Sequence, residues 1–132
     1  MGEVVVKFAI LKGSAVVEDV YVGDVGPLRF LVTTDSPRTI LDRSLADKLG
    51  LRLVGPLAGI GAGGEVPSYK AKLRSLRIGD LTIDDVEVSV IDFSKIGDRL
   101  GFKVDGAIAS DILTRYRAVI DYGRRQITLK TS

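Results

Sequence analysis

Apolar positions along the chain recur in short, mostly alternating runs that are broken by Gly, Pro, Asp and Ser. Val and Ile dominate Glu3 to Leu11 and Ala15 to Val22, with Lys12-Gly13-Ser14 between them, which predicts two strands joined by a turn. Gly23 to Pro27 predicts a second turn, and Leu28 to Val32 a buried strand. Gly79-Asp80 predicts a hairpin turn leading into Leu81-Thr82-Ile83. The apolar positions then move from odd numbers (Leu81, Ile83) to even ones (Val86, Val88, Val90), so a bulge or bend is expected at Asp84-Asp85. Ala118 to Asp121 and Gln126 to Leu129 predict a closing hairpin around Tyr122 to Arg125. Two short stretches carry helix signals. Ser44 to Gly50 has a capping Ser, an acid three residues on, and a terminating Gly, while Ser110-Asp111 opens a turn running to Tyr116. Many strands, tight turns and one or two short helices predict an all-β fold, a small closed or partly closed β-barrel, in one domain spanning residues 1–132. No repeat and no low-complexity tract interrupts it.

Composition narrows the chemistry. With 132 residues, 45% apolar and 27% charged, the chain suits one globular domain with its own core. It contains no Cys and no His, which removes disulfides, thiolate nucleophiles, the Ser-His-Asp arrangement and the commonest metal ligands. Acid–base chemistry would fall to carboxylates, Lys, Tyr or a bound ion. No metal or organic cofactor is expected. Nineteen basic against seventeen acidic residues leave a net charge of +2, which gives no reason to expect nucleic-acid binding. No run of 18 apolar residues exists, so no membrane partner is expected. Met1-Gly2-Glu3-Val4 lacks a signal-peptide pattern, and the expected location is cytoplasmic.

Three motifs have ordinary explanations beside functional ones. Gly59-Ile60-Gly61-Ala62-Gly63-Gly64 matches G-x-G-x-x-G, but Glu65-Val66-Pro67 follows where a dinucleotide site needs a helix. A hairpin tip whose glycines permit close approach to a ligand's backbone is the better reading. Lys70, Lys72 and Arg74 alternate along one strand face with only Tyr69 nearby, which favours a solvated face. Asp80, Asp84 and Asp85 lack the spacing of a calcium loop and read as turn and bulge acids.

The last constellation is Phe30-Leu31-Val32-Thr33-Thr34-Asp35-Ser36-Pro37-Arg38-Thr39-Ile40-Leu41-Asp42, an apolar strand running into a polar turn and then a capped helix. It resembles the active-site segment of retropepsin-like aspartic proteases, whose pattern is two apolar residues, Asp-Thr-Gly-Ala/Ser, an apolar strand and a short helix. The resemblance extends from Val16 to Leu129. Gly59, Ile60, Gly61, Ala62 and Gly63 fall where the family carries its glycine-rich flap, and Leu76 to Val90 resembles the paired strands after it. Asp105 to Leu113 is similar to the family's second landmark, with Gly106, Ala109 and Asp111 at its marked positions and Ala109 replacing the last glycine.

The resemblance implies a homodimer in which two Asp side chains, one per subunit, share a proton around a water and cleave an extended peptide. Aligned without gaps, however, Asp-Thr-Gly falls on Thr33-Thr34-Asp35. Thr33 offers no carboxylate, and Asp35 puts a side chain where glycine belongs. A register slip of two would use Asp35 but place Pro37, with fixed φ and no N–H, at the turn glycine. Three expectations follow. One is a homodimer with a peptide-binding groove and little or no proteolysis. Another is an active endopeptidase using Asp35 from each subunit. The third is a non-catalytic dimeric scaffold.

Overall fold

The computed structural model describes residues 2–57, 60–61, 64–65 and 67–132. Its first apolar run is divided between two sheets. β1 (Glu3–Lys7) and β2 (Ala9–Leu11) separate at Phe8, whose ring is buried and whose N–H donates to the Arg125 carbonyl at 3.0 Å. Lys12 and Gly13 both take positive φ, the requirement of a tight hairpin turn, and lead into β3 (Ser14–Val22). β4 (Val25–Val32) begins sooner than the Gly23-to-Pro27 turn implies, because Val25 already pairs with Val22. Pro27 is tolerated inside this strand at an irregularity, where the register shifts between Val20 and Val22.

The chain continues through β5 (Ile40–Asp42), α1 (Arg43–Lys48), β6 (Val54–Leu57), the short pair β7 (Ile60–Gly61) and β8 (Gly64–Glu65), and the long hairpin β9 (Ser68–Ile78) and β10 (Leu81–Ile91). In that hairpin Asp84 opposes Ser75 and Val86 opposes Leu73, so the register runs on unbroken and the expected bulge or bend is a bend: Asp85 takes φ 54°, and the alternation of buried and exposed positions changes phase there on both strands. Then come α2 (Ser94–Leu100), β11 (Gly106–Ile108), α3 (Ser110–Arg115), β12 (Val119–Asp121) and β13 (Gln126–Lys130). Three short helices form rather than one or two. α2 went unanticipated because Gly97 interrupts its apolar pattern; it is started by Asp92, which accepts the Ser94 N–H at 2.8 Å, and stopped by Gly101 at φ 81°.

Eight strands pair in the order β2-β3-β4-β11-β5-β10-β9-β6, and β9 also pairs with β3. Backbone pairing therefore runs from β3 through β4, β11, β5, β10 and β9 back to β3. Phe30, Leu41, Leu73, Leu76, Val88 and Val90 fill the interior and are essentially inaccessible. A separate sheet, β1-β13-β12, packs Val6, Ile127 and Leu129 against that core.

β11 is the crossing point. It runs parallel to β4 (Gly106 opposite Phe30) and antiparallel to β5 (Gly106 opposite Leu41), so strands from both sides of the candidate motif meet on three residues. Asp105 fastens its start: its carboxylate accepts the Arg29 N–H at 3.0 Å, its N–H donates to the Arg29 carbonyl, and its carbonyl accepts from Asp42. A Cβ on Gly106 would run into the Ile40 carbonyl and the Phe30 ring. Gly106→Ala is expected to lower unfolding free energy by about 2–3 kcal/mol, measured by urea denaturation, because neither backbone nor buried ring can yield cheaply.

Candidate functional site

Strand pairing sorts the residues of the crossing into two faces. Phe30, Gly106, Leu41 and Val90 oppose one another towards the core. One residue on, Leu31, Ala107, Ile40 and Ser89 form the corresponding row on the outer face. Leu31, Ala107 and Ile40 belong to a second apolar cluster with Phe93, Val104 and the half-buried Ile91, Ile96, Leu100 and Phe102. The next outer row begins with Thr33, two residues beyond Leu31, and includes Glu87, two residues before Ser89. Thr33 thus stands at the strand end beside an apolar floor.

The loop from Thr33 to Thr39 is fastened throughout. The Thr33 N–H donates to the Ile108 carbonyl at 2.9 Å, extending the β4–β11 ladder by one step. The Thr33 hydroxyl accepts the Asp35 N–H at 3.3 Å, a local turn of the kind Thr forms readily. Thr34 and Asp35 are exposed. The Ser36 carbonyl accepts from both the N–H and the hydroxyl of Ser110, at 3.1 and 2.8 Å, and the Ser36 hydroxyl donates to the Arg38 carbonyl. Thr39 is fully buried. Its N–H and hydroxyl donate to the two carboxylate oxygens of Asp111 at 3.0 and 2.8 Å, and its hydroxyl accepts the Ala109 N–H at 3.2 Å.

The second landmark is therefore brought directly under the first. Asp111 also accepts the Ile112 N–H at 2.8 Å, so one carboxylate holds the loop and starts α3. Ser110, expected as a helix cap, turns its hydroxyl to the loop instead, and Ala109 is the N-cap. Similarly, Ser44 does not cap α1: Asp42 precedes the helix, buried, and accepts from the Ser44 hydroxyl and the Phe93 N–H. These bonds tie the 92–104 excursion to β5. Ser36, Thr39, Ser110 and Asp42 were not singled out as site residues in the sequence. Asp42 alone carried a signal, its charge after the apolar Ile40-Leu41; Ser36 and Thr39 are lost among the polar residues of the turn.

Of the flap residues, Ile60 and Gly61 pair with Glu65 and Gly64 in a two-stranded antiparallel hairpin, while Gly59, Ala62 and Gly63 lie outside the described residues. A pocket of ≈ 730 Å³ between β5 and α2 is lined by Asp42, Asp92, Phe93, Asp98 and Lys103 among others, and by no residue of the 33–39 loop. The Asp92 carboxyl there is held below its ordinary pKa chiefly by the Ser94 N–H. Among the described residues no acidic group of three or more could hold a metal ion, and no helix is long and apolar enough to cross a membrane.

The sequence pattern of the Aspartyl protease family matches residues 18–112, which take in the loop, the hairpin and the crossing strand. The chain belongs to the aspartyl protease family. The fold of this family member is similar to that of a retropepsin-like aspartic protease from Rickettsia conorii (20% identity, TM-score 0.69, covering 98% of this chain and 99% of the other). It is also similar to the EIAV protease complexed with the inhibitor HBY-793 (18% identity, TM-score 0.58, 82% of this chain and 90% of the other). A third similar structure is the retroviral protease-like domain of Ddi1 from Leishmania major (14% identity, TM-score 0.53, 100% of this chain and 91% of the other). No curated protein matches in sequence. In this retropepsin-like fold Thr33 bonds to the strand that begins at Gly106, and Asp111 lies in the first turn of the helix that follows.

Replacing Asp111 by Ala leaves the donors of buried Thr39 without acceptors. The aspartyl protease domain is expected to lose about 2–4 kcal/mol of stability in denaturant titration, with Thr39→Val costing about 1–3 kcal/mol.

Proposed function

We propose that this chain forms a homodimeric, retropepsin-like domain with a peptide-binding groove, and that it has little or no proteolytic activity because Thr33 occupies the catalytic position. The observation carrying this reading is the anchoring of the loop. β4 is registered against β11 up to the Thr33 N–H, and β5 is registered against β11 from Ile40. A slip of two residues, needed to put Asp35 in the place of Thr33, would forfeit the pairings of Leu31 and Val32 and the Thr39–Asp111 bonds. A threonine hydroxyl without a base beside it does not activate water at neutral pH. Asp35, exposed in the loop, is the carboxylate on which the competing endopeptidase reading depends.

Cleavage of a denatured protein between pH 3 and 7 separates the two readings. The wild-type chain and Asp35→Ala are expected to match the blank. The double change Thr33→Asp with Asp35→Gly, which rebuilds Asp-Thr-Gly, is expected to raise acid-side cleavage by about 100-fold, the scale of general acid–base catalysis. Wild-type cleavage that Asp35→Ala abolishes would overturn the proposal.

The terminal sheet supports dimer formation. Val5 and Val119 both oppose Thr128, so they flank it on the outer face, and each remains half exposed (51% and 50%). β1 and β12 are the edges of that sheet, with backbone groups available for pairing. Val5→Lys combined with Val119→Lys is expected to weaken self-association by about tenfold or more in analytical ultracentrifugation, since burying either charge is costly. An unchanged association constant would place the interface elsewhere.

A further inference from the structure

We infer that the row continuing outwards from Thr33 ends in a carboxylate-accepting subsite centred on Arg38, so that the peptide this groove takes carries an acidic side chain. The inference rests on the groove proposed above and adds its charge preference.

The geometry follows from the pairing. Along the outer face, β4 rises from Leu31 to Thr33, while β5 and β10, running the other way, rise from Ile40 towards Arg38 and from Ser89 to Glu87. Arg38 and Glu87 therefore lie level with Thr33, two and three strand positions across, and their side chains meet at 3.9 Å. Two strand spacings put Arg38 roughly 10 Å from Thr33, the reach of two to three residues in an extended peptide. The position is fixed rather than loose. The Arg38 carbonyl accepts from the Ser36 hydroxyl at 2.8 Å, and the next residue is the buried Thr39.

Charge then decides what the position accepts. Glu87 is the carboxylate paired with Arg38, and the pair is long and solvated: the two side chains are 35% and 58% exposed. Lys72 stands directly opposite Glu87 on β9, and Lys70 opposite Ser89 on the same face. Among the described residues, neither lysine comes within salt-bridge distance of a carboxylate. Arg38 and two lysines of β9 thus lie on the Glu87 side of the row, the Asp111 carboxylate being taken up by Thr39, and the guanidinium keeps donors free for a bidentate acceptor. An Asp or Glu side chain arriving beside Arg38 supplies the missing negative charge. A basic side chain would meet an excess of like charge.

The test uses the full chain and fluorescein-labelled ten-residue peptides with a central Leu-Phe pair. Glu, Gln or Lys is placed in turn two and three residues to either side, and binding is read by fluorescence polarisation. At one of these positions Glu is expected to bind about five- to tenfold more tightly than Gln, and Lys more weakly than either. The advantage should fall to about twofold in 0.5 M salt, where surface charges are screened. Arg38→Glu should reverse the order, and Glu87→Gln should widen the preference for Glu. Equal binding of all three peptides, a preference for Lys, or an order untouched by Arg38→Glu would overturn the inference while leaving the groove standing. Failure of every peptide, neutral ones included, would remove the groove itself and this subsite with it.

Discussion

The structure depends on packing β4 and β5 around β11 so closely that Gly106 has no room for a side chain. Gly106 opposes Phe30 on one flank and Leu41 on the other, and the Phe30 ring and the Ile40 carbonyl close in on it. Because the crossing is this tight, the loop from Thr33 to Thr39 must arch over the end of β11, and its polar backbone needs partners there. Ser110 and Asp111, the first two residues after Ala109, meet that need. The loop is thereby braced by the start of α3 as well as by bonds within its own residues. The backbone at this strand end is fixed, and the Thr33 hydroxyl there accepts the Asp35 N–H.

The same rigidity gives meaning to the residues around it. Thr33, Arg38 and Glu87 come from three segments, yet strand register alone aligns them on one row. Apolar side chains from Leu31, Ile40 and Ala107 lie behind that row, and the 92–104 excursion, held by Asp42, extends the apolar surface. The Thr33 strand end is thus ordered by backbone bonds and bordered by charged side chains.

Much of the architecture was legible because alternation in Val-rich segments leaves little freedom. The phase change from Ile83 to Val86 marked the bend at Asp85, and the Asp105-to-Leu113 segment resembled the family's second landmark. What escaped were features set by tertiary partners. The run from Glu3 to Leu11 reads as one strand, yet it divides at Phe8 because β13 and β3 compete for its two halves. Pro27 suggested a turn residue but sits in a strand beside a register irregularity. Ser44 and Ser110 read as helix caps, and both hydroxyls are drawn to other acceptors. The acceptors, Asp42 and the Ser36 carbonyl, could not be identified from residues two or seventy-four positions away. The Arg38–Glu87 row was equally hidden, since it exists only once β5 and β10 are in register.

The pairing of β1 with β13 has a consequence for how these strands fold. Glu3 lies opposite Lys130, so β1 finds its neighbour only across all the strands that lie between them in sequence. Contacts of such sequence separation form late, because the intervening loop must close before they repay its entropy. Val4 and Val6 lack their cover until that pairing forms, and the larger sheet has an incomplete wall. Completion of the terminal sheet covers them and creates the outer surface bearing Val5 and Val119 in one stroke.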